Sequence, residues 1–277
     1  MTSESQVGLS PAAVMPLPPV VLTNHGHYLA VPDNLIALPV RAAAADAPTA
    51  TVVLPAFNEE KGLAVLLPPL LALSQDRFEV VVVDDGSTDS TASVAESLGC
   101  RVVRHVANAG KGVAVRTGLR AARGEKVIIM DADDTYPIDA ILEIIRRLDD
   151  CEMVVGVRTL GRTNIPRFNR IGNAVLTTAI RLASGSRWTD PLTGFYGVRR
   201  SALERMDLKS TGFSVEAEIA IKSAALGLRV EDHPIAYRAR AGDSKLHPLR
   251  DGFRISAVIL SLGLQRLVRN LAHSTAG

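Results

Sequence analysis

Three short apolar runs each end abruptly in a polar cluster, and this pattern restricts the possible folds more than any other feature of the chain. Thr51-Val-Val-Leu54 leads into Pro55-Ala-Phe-Asn-Glu59, Glu79-Val-Val-Val-Val83 into Asp84-Asp-Gly-Ser87, and Val127-Ile-Ile-Met130 into Asp131-Ala-Asp-Asp134. Runs of this kind, bounded by turn-forming residues, read as buried strands. Helical periodicity fills the gaps between them. Leu63, Leu66, Leu67, Leu70 and Leu71 share one face, although Pro68-Pro69 predicts a break there. A helix from about Ser87 to Leu98 is closed by Gly99, and another from Gly110 to Ala122 by Gly124. Arg101-Val-Val-Arg104 adds a short strand. Alternation of strand and helix predicts an α/β fold: a mostly parallel, open, Rossmann-like sheet with helices on both faces. All three polar clusters then fall on the carboxyl edge of that sheet, where such folds hold ligands.

Beyond Asp134 the pattern predicts a helix from Pro137 to Leu148 and a strand over Met153–Val157. A basic loop from Arg158 to Arg170 overlaps the start of a helix over Phe168–Ser184, and a turn follows at Asp190–Phe195. A helix over Val215–Leu226, two short strands at Arg229–Asp232 and Ile235–Arg238, and a last helix from Leu249 to Ala272 complete the chain. Residues 1–48, rich in Pro and Ala, read as an extension that is partly disordered or wrapped over the domain. The main domain is expected over 49–247, with an amphipathic helix over 248–277. An apolar fraction of 47% and a net charge of +2 exclude a disordered chain and give no reason to expect nucleic-acid binding. Cys100 and Cys151 lack metal-ligand spacing and read as reduced core residues of a cytosolic protein. No apolar run is long enough to span a bilayer, and no signal peptide is expected at the N-terminus.

Asp131 and Asp133 carry the chemistry. In an extended segment residues i and i+2 point the same way, so the two carboxylates converge. Like charges so close repel unless a cation lies between them, and all-oxygen ligation suits Mg2+ or Mn2+. The competing reading is an acidic turn ahead of a helix whose first residue is Pro137.

Taken together, the Pro55–Glu59, Val83–Ser87, Asn108–Gly112 and Asp131–Asp133 clusters resemble the family-two glycosyltransferases, which have the A-type glycosyltransferase fold. The likeness is to the dolichol-phosphate mannose synthase branch in particular. Gly156-Val-Arg158, Arg170–Asn173, Thr193-Gly-Phe195, Glu216 and Arg240–Leu246 extend it. The resemblance implies a nucleotide-diphosphate sugar on the sheet edge. Pro55, Phe57 and Glu59 would line the base and ribose, with Phe57 in place of the usual tyrosine. Val83 and Asp85 would hold the base, Lys111 would touch the donor, and Asp131, Ala132 and Asp133 would sit on the diphosphate with the metal. Thr135 stands where the usual third ligand is often Gln. Arg158, Arg240 and Lys245 would grip the acceptor phosphate and the donor pyrophosphate.

A polyprenyl phosphate is already an anion and can attack the anomeric carbon, inverting it, without a general base. A hydroxyl acceptor needs a base, for which Glu216, Glu218, Asp134 and Asp190 are candidates. Three functions stay open: hexose transfer to a polyprenyl phosphate, transfer to a soluble hydroxyl acceptor, and a silent nucleotide-sugar-binding module. The last helix, apolar on one side with Arg254, Arg266 and Arg269 beside it, reads either as a peripheral membrane contact or as a face packed on the domain or in a homodimer.

Overall fold

The computed structural model describes residues 20–24, 27–30, 48–75, 77–240 and 245–274. The Pro- and Ala-rich stretches of the N-terminal extension and residues 241–244, part of the expected phosphate-gripping segment, lie outside the described residues.

The three apolar runs form β3 (Ala50–Ala56), β4 (Phe78–Asp84) and β6 (Lys126–Met130). They pair in parallel, with β5 (Arg101–His105) beyond β4. Alternate residues feed two separate cores. Val53, Val81 and Val83 pack on one face of the sheet, and Val52, Leu54 and Val82 on the other. Burial on both faces explains why these strands read as continuous apolar runs. Helices α1 (Glu60–Ser74), α2 (Thr91–Ser97) and α4 (Ala140–Arg147) cover one face. Helix α3 (Lys111–Ala121) lies on the other.

The second half completes the sheet differently from expectation. Strand β7 (Met153–Leu160) is present, and Phe195–Arg199 forms β8, which the sequence reading missed. Strand β8 inserts between β6 and β7 and runs antiparallel to both. Strand β7 is therefore parallel to β6, and β9 (Val230–Ala236) is parallel to β7. Two short strands were expected around Pro234, but one strand runs through it. As the last strand of the sheet, β9 has a free side where the missing N–H costs nothing. At the opposite edge β1 (Val20–Asn24) pairs with β5, and β2 (His27–Ala30) pairs with β1. The described strands thus form one nine-stranded sheet in the order β2-β1-β5-β4-β3-β6-β8-β7-β9. Part of the expected extension is an addition to the sheet.

Three helix expectations also shift. Helix α1 continues through Pro68 and Pro69, which lie on its exposed side, where water can take the two carbonyls their rings leave without donors. Helix α2 begins at Thr91 instead of near Ser87, because residues 87–90 are used in bonds to the β3–α1 loop. Helix α4 begins at Ala140 instead of Pro137, after a turn in which Asp134 takes a φ of 59°. The remaining helices are α5 (Arg167–Ser184), α6 (Arg200–Met206), α7 (Val215–Ala225) and α8 (Pro248–Ser274). Helix α8 packs on α5 and α7 and buries Ile255 and Ile259 in the main core.

Candidate active site

The carboxyl ends of β3, β4 and β6 lie side by side, so their three polar clusters share one edge. The first two clusters are strapped together. Asn58 accepts a hydrogen bond from the Thr88 N–H at 2.8 Å, and the Asn58 N–H donates to Ser87 Oγ at 2.9 Å. The Glu59 N–H donates to Thr91 Oγ1 at 2.8 Å. This lattice fixes where Pro55 and Phe57, both half-buried, end the strand.

Asp131 and Asp133 follow β6, and each carboxylate meets a protein cation. Lys111 Nζ lies 2.6 Å from Asp131 Oδ1 and 2.5 Å from Glu216 Oε1. Arg240 spans Asp133, at 3.0 Å from Oδ2, and Glu59, with a second short contact. Burial alone would favour a neutral Lys111 amine, but Asp131 and Glu216 outweigh it and hold the ammonium above its ordinary range. Burial raises the Glu216 and Glu59 carboxyls, against the pull of Lys111 and Arg240 respectively. Burial and the nearby Asp131 charge likewise raise Asp133. The second oxygen of Glu216 is buried and has no hydrogen-bond partner among the described residues.

The Asp131 carboxylate lies against the backbone of Gly194. A Cβ there would come within 2.2 Å of Oδ2, so only glycine leaves the carboxylate its place. The turn is held by Tyr136, whose buried hydroxyl accepts from the Gly194 N–H at 2.7 Å, and by the Asp131 N–H donating to the Gly194 carbonyl at 3.2 Å. On the other side the Lys111 loop approaches residues 210–212. Gly110 (φ 96°) would place a Cβ 2.5 Å from the Thr211 carbonyl. Glu218 holds that segment by accepting from the Lys209 and Ser210 N–H groups at 2.8 and 2.7 Å.

Several expected roles change. Arg158 is buried and forks onto Asp190, with Nε and one terminal nitrogen each 2.7 Å from a carboxylate oxygen. Its guanidinium also lies over the Tyr237 ring, so it is engaged within the protein from two sides. Asp190, a candidate base, is thereby a structural partner. The Val83 side chain is fully buried with Val53 in the core, and Ala132 is buried against α1, so neither side chain lines the site. Asp85 is an internal strut. Its oxygens accept from the Ala109 and Gly110 N–H groups at 3.0 and 2.8 Å, and one lies 2.6 Å from His105 Nδ1. Thr135 donates its hydroxyl to Asp133 Oδ1 at 2.6 Å, which orients that carboxylate. Lys245 is half-buried, and its charge acts on Glu59. Tyr136, Phe213 (5.9 Å below Lys111) and residues 210–212 are contributors the sequence reading missed. The aromatic Tyr136, next to the acidic run, was the available signal.

The donor chemistry fits a hard divalent cation. Asp131 and Asp133 would both supply oxygen ligands, with Asp131 partly open to solvent beside the space Gly194 leaves. Among the described residues no cluster of three or more His, Cys, Asp or Glu side chains is arranged to hold a metal, so further ligands would have to come from substrate and water.

Residues 51–207 match the family model described as glycosyl transferase family 2. The chain belongs to this family. A Haloferax volcanii dolichyl-phosphate hexose transferase is 34% identical over 221 residues, which cover 79% of this chain and 95% of the relative. A Pyrococcus furiosus dolichol-phosphate mannosyltransferase is 30% identical over 71% of this chain, which spans only 58% of that longer protein. Among solved structures, Mycobacterium tuberculosis glucosyl-3-phosphoglycerate synthase bound to phosphoglyceric acid superposes with a TM-score of 0.64 at 26% identity, covering 79% of this chain and 80% of that one. The same synthase has been solved with Mn2+, uridine-diphosphate and glucosyl-3-phosphoglycerate. These likenesses fit the A-type glycosyltransferase fold expected from the strand and motif order.

Proposed function

We propose that this family-two glycosyltransferase moves a hexose from a nucleotide-diphosphate sugar to a polyprenyl phosphate. The observation that carries the reading is the pairing of Asp131 and Asp133 with Lys111 and Arg240 at the sheet edge. A divalent ion, Mg2+ or Mn2+, held by Asp131 and Asp133 would offset the charge of the leaving diphosphate. Lys111 and Arg240 would then turn from the carboxylates toward phosphate oxygens; Arg240 Nε has no hydrogen-bond partner among the described residues. Pro55 and Phe57 flank the place for the nucleoside. The acceptor half rests on the lipid-phosphate transferases among the relatives. An ionised phosphate attacks without help, in line and with inversion. Glu216, tied to a charged lysine, then serves to place Lys111.

Transfer to a soluble acceptor is the second reading, favoured by the synthase whose structure holds phosphoglyceric acid. A radiolabelled transfer assay with UDP-glucose and GDP-mannose as donors separates the two. Label should pass to a short prenyl phosphate and not to the matching prenol. Transfer only to prenol or to 3-phosphoglycerate would overturn the lipid-phosphate reading.

A further inference from the structure

Helices α5 and α8 each bury one side and expose a long apolar stripe on the other. In α5, Ile180 is buried while Phe168, Ile171, Val175 and Leu182 are each more than half exposed. In α8, Ile255 and Ile259 are buried while Phe253, Leu260, Leu264 and Leu267 are equally open. The spacings follow helical periodicity, so each set lies along one face. The two helices meet where Gly263 lies against Ala183, and there Leu182, Leu260, Leu264 and Leu267 line one open groove of about 720 Å³.

The charge around this face is one-sided. Helix α5 carries Arg167, Arg170 and Arg181 and no carboxylate, Arg181 being turned onto the Trp188 carbonyl at 2.7 Å. Helix α8 carries Arg250, Arg254 and Arg266; its single carboxylate, Asp251, is buried, accepts from the His247 N–H and lies 3.4 and 3.8 Å from the largely exposed Arg250 and Arg254, while Arg266 donates to the Ala183 carbonyl. Position matters as well. Strands β7 and β9 run parallel to β6, and α5 and α8 follow them in the chain. Both helices therefore start from the edge that carries Asp131.

We infer that the paired faces of α5 and α8 dock onto an anionic lipid surface, with aliphatic side chains in the acyl boundary and arginines on the headgroups. A second protein copy would have to bury the same arginines against one another. A lipid surface of opposite charge needs no such arrangement, and it brings a lipid phosphate to the catalytic edge. The inference deepens the polyprenyl-phosphate reading, which it takes as given.

The test is flotation of the full chain with vesicles of phosphatidylcholine alone or with 30% phosphatidylglycerol, about that fraction being enough for a strongly negative surface. The wild type should float with anionic vesicles and release them as salt rises. Leu182→Glu combined with Leu264→Glu should abolish flotation, and Arg254→Ala should weaken it about fivefold. None of these side chains is among the site residues, so transfer to a short, water-soluble prenyl phosphate should persist, and melting curves check that the variants are folded. Equal behaviour of wild type and the double variant would overturn the inference. So would a dimer by light scattering that the double variant splits while neither protein floats. Flotation without any transfer to prenyl phosphate would leave the docking face standing and refute the acceptor reading alone.

Discussion

Arg158 and Asp190 show how burial decides what a charged residue can do. Both are almost fully enclosed and share two hydrogen bonds of 2.7 Å. Removing one partner leaves an uncompensated buried charge, which typically costs about 3–5 kcal/mol. Arg158→Met should therefore lower stability by about that amount in urea denaturation, and adding Asp190→Leu should restore a large part of it. A variant that melts like the wild type but binds acceptor poorly would return Arg158 to the phosphate site. Gly194 gives a second prediction at this scale. A Cβ 2.2 Å from Asp131 Oδ2 must displace the carboxylate. Gly194→Ala should weaken metal-dependent nucleotide binding about tenfold or more, a charge-assisted contact being worth about 1.5–3 kcal/mol. Its circular dichroism should stay that of the wild type; unchanged binding would show that Asp131 has room to move. Asp131 and Asp133 could be found in the sequence because their i, i+2 spacing follows a strand. The Arg158–Asp190 pairing could not, since the two residues lie 32 positions apart and meet only through β7 and the turn before β8.

Among the elements, α1 and β8 mark where local patterns fail. Two prolines predict a break in α1, yet buried Leu63, Leu66, Leu67 and Leu70 hold the helix on both sides of them. Tertiary packing overrides propensity here, so the propensity cost is still present in the fold. Pro68→Ala should raise stability by up to about 3 kcal/mol without affecting the site, the difference between Pro and Ala inside a helix. A fall in the denaturation midpoint would mean that the ring makes a packing contact worth more than that. Strand β8 was hidden by its own composition. Gly197 interrupts its apolar run, and a Cβ at that position would strike Ile144 at 2.2 Å. The glycine that weakens the strand signal is the one that lets α4 approach. The parallel strands β3, β4 and β6 were legible for the opposite reason, since burial on both faces leaves an unbroken aliphatic run.

At the scale of the molecule, the sheet edge concentrates four carboxylates, Glu59, Asp131, Asp133 and Glu216, around two cations, Lys111 and Arg240. Burial lifts Glu59, Asp133 and Glu216 above their ordinary values. A raised carboxyl contributes stability that is fully present below its unfolded pKa and is lost as pH rises through its folded value. Lowering the pH from 7 to about 5 should therefore hold or raise the melting temperature in a His233→Gln background, since burial holds the His233 imidazole below its ordinary value and its protonation in the unfolded chain works in the opposite direction, while unperturbed carboxylates begin to protonate only near pH 4. A steep fall across that window would mean that these carboxyls are held below, not above, their ordinary values. The excess of carboxylates also states what the edge lacks: positive charge, which a divalent ion would supply. Calorimetric titration of UDP and of GDP, with Mn2+ and then with EDTA, measures this. One of the two nucleotides should bind with Mn2+, lose most of its affinity in EDTA, and bind equally weakly with or without the metal in Asp131→Asn and Asp133→Asn. Full affinity in EDTA, or wild-type binding by Asp131→Asn, would show that the paired carboxylates do not hold a metal–diphosphate complex.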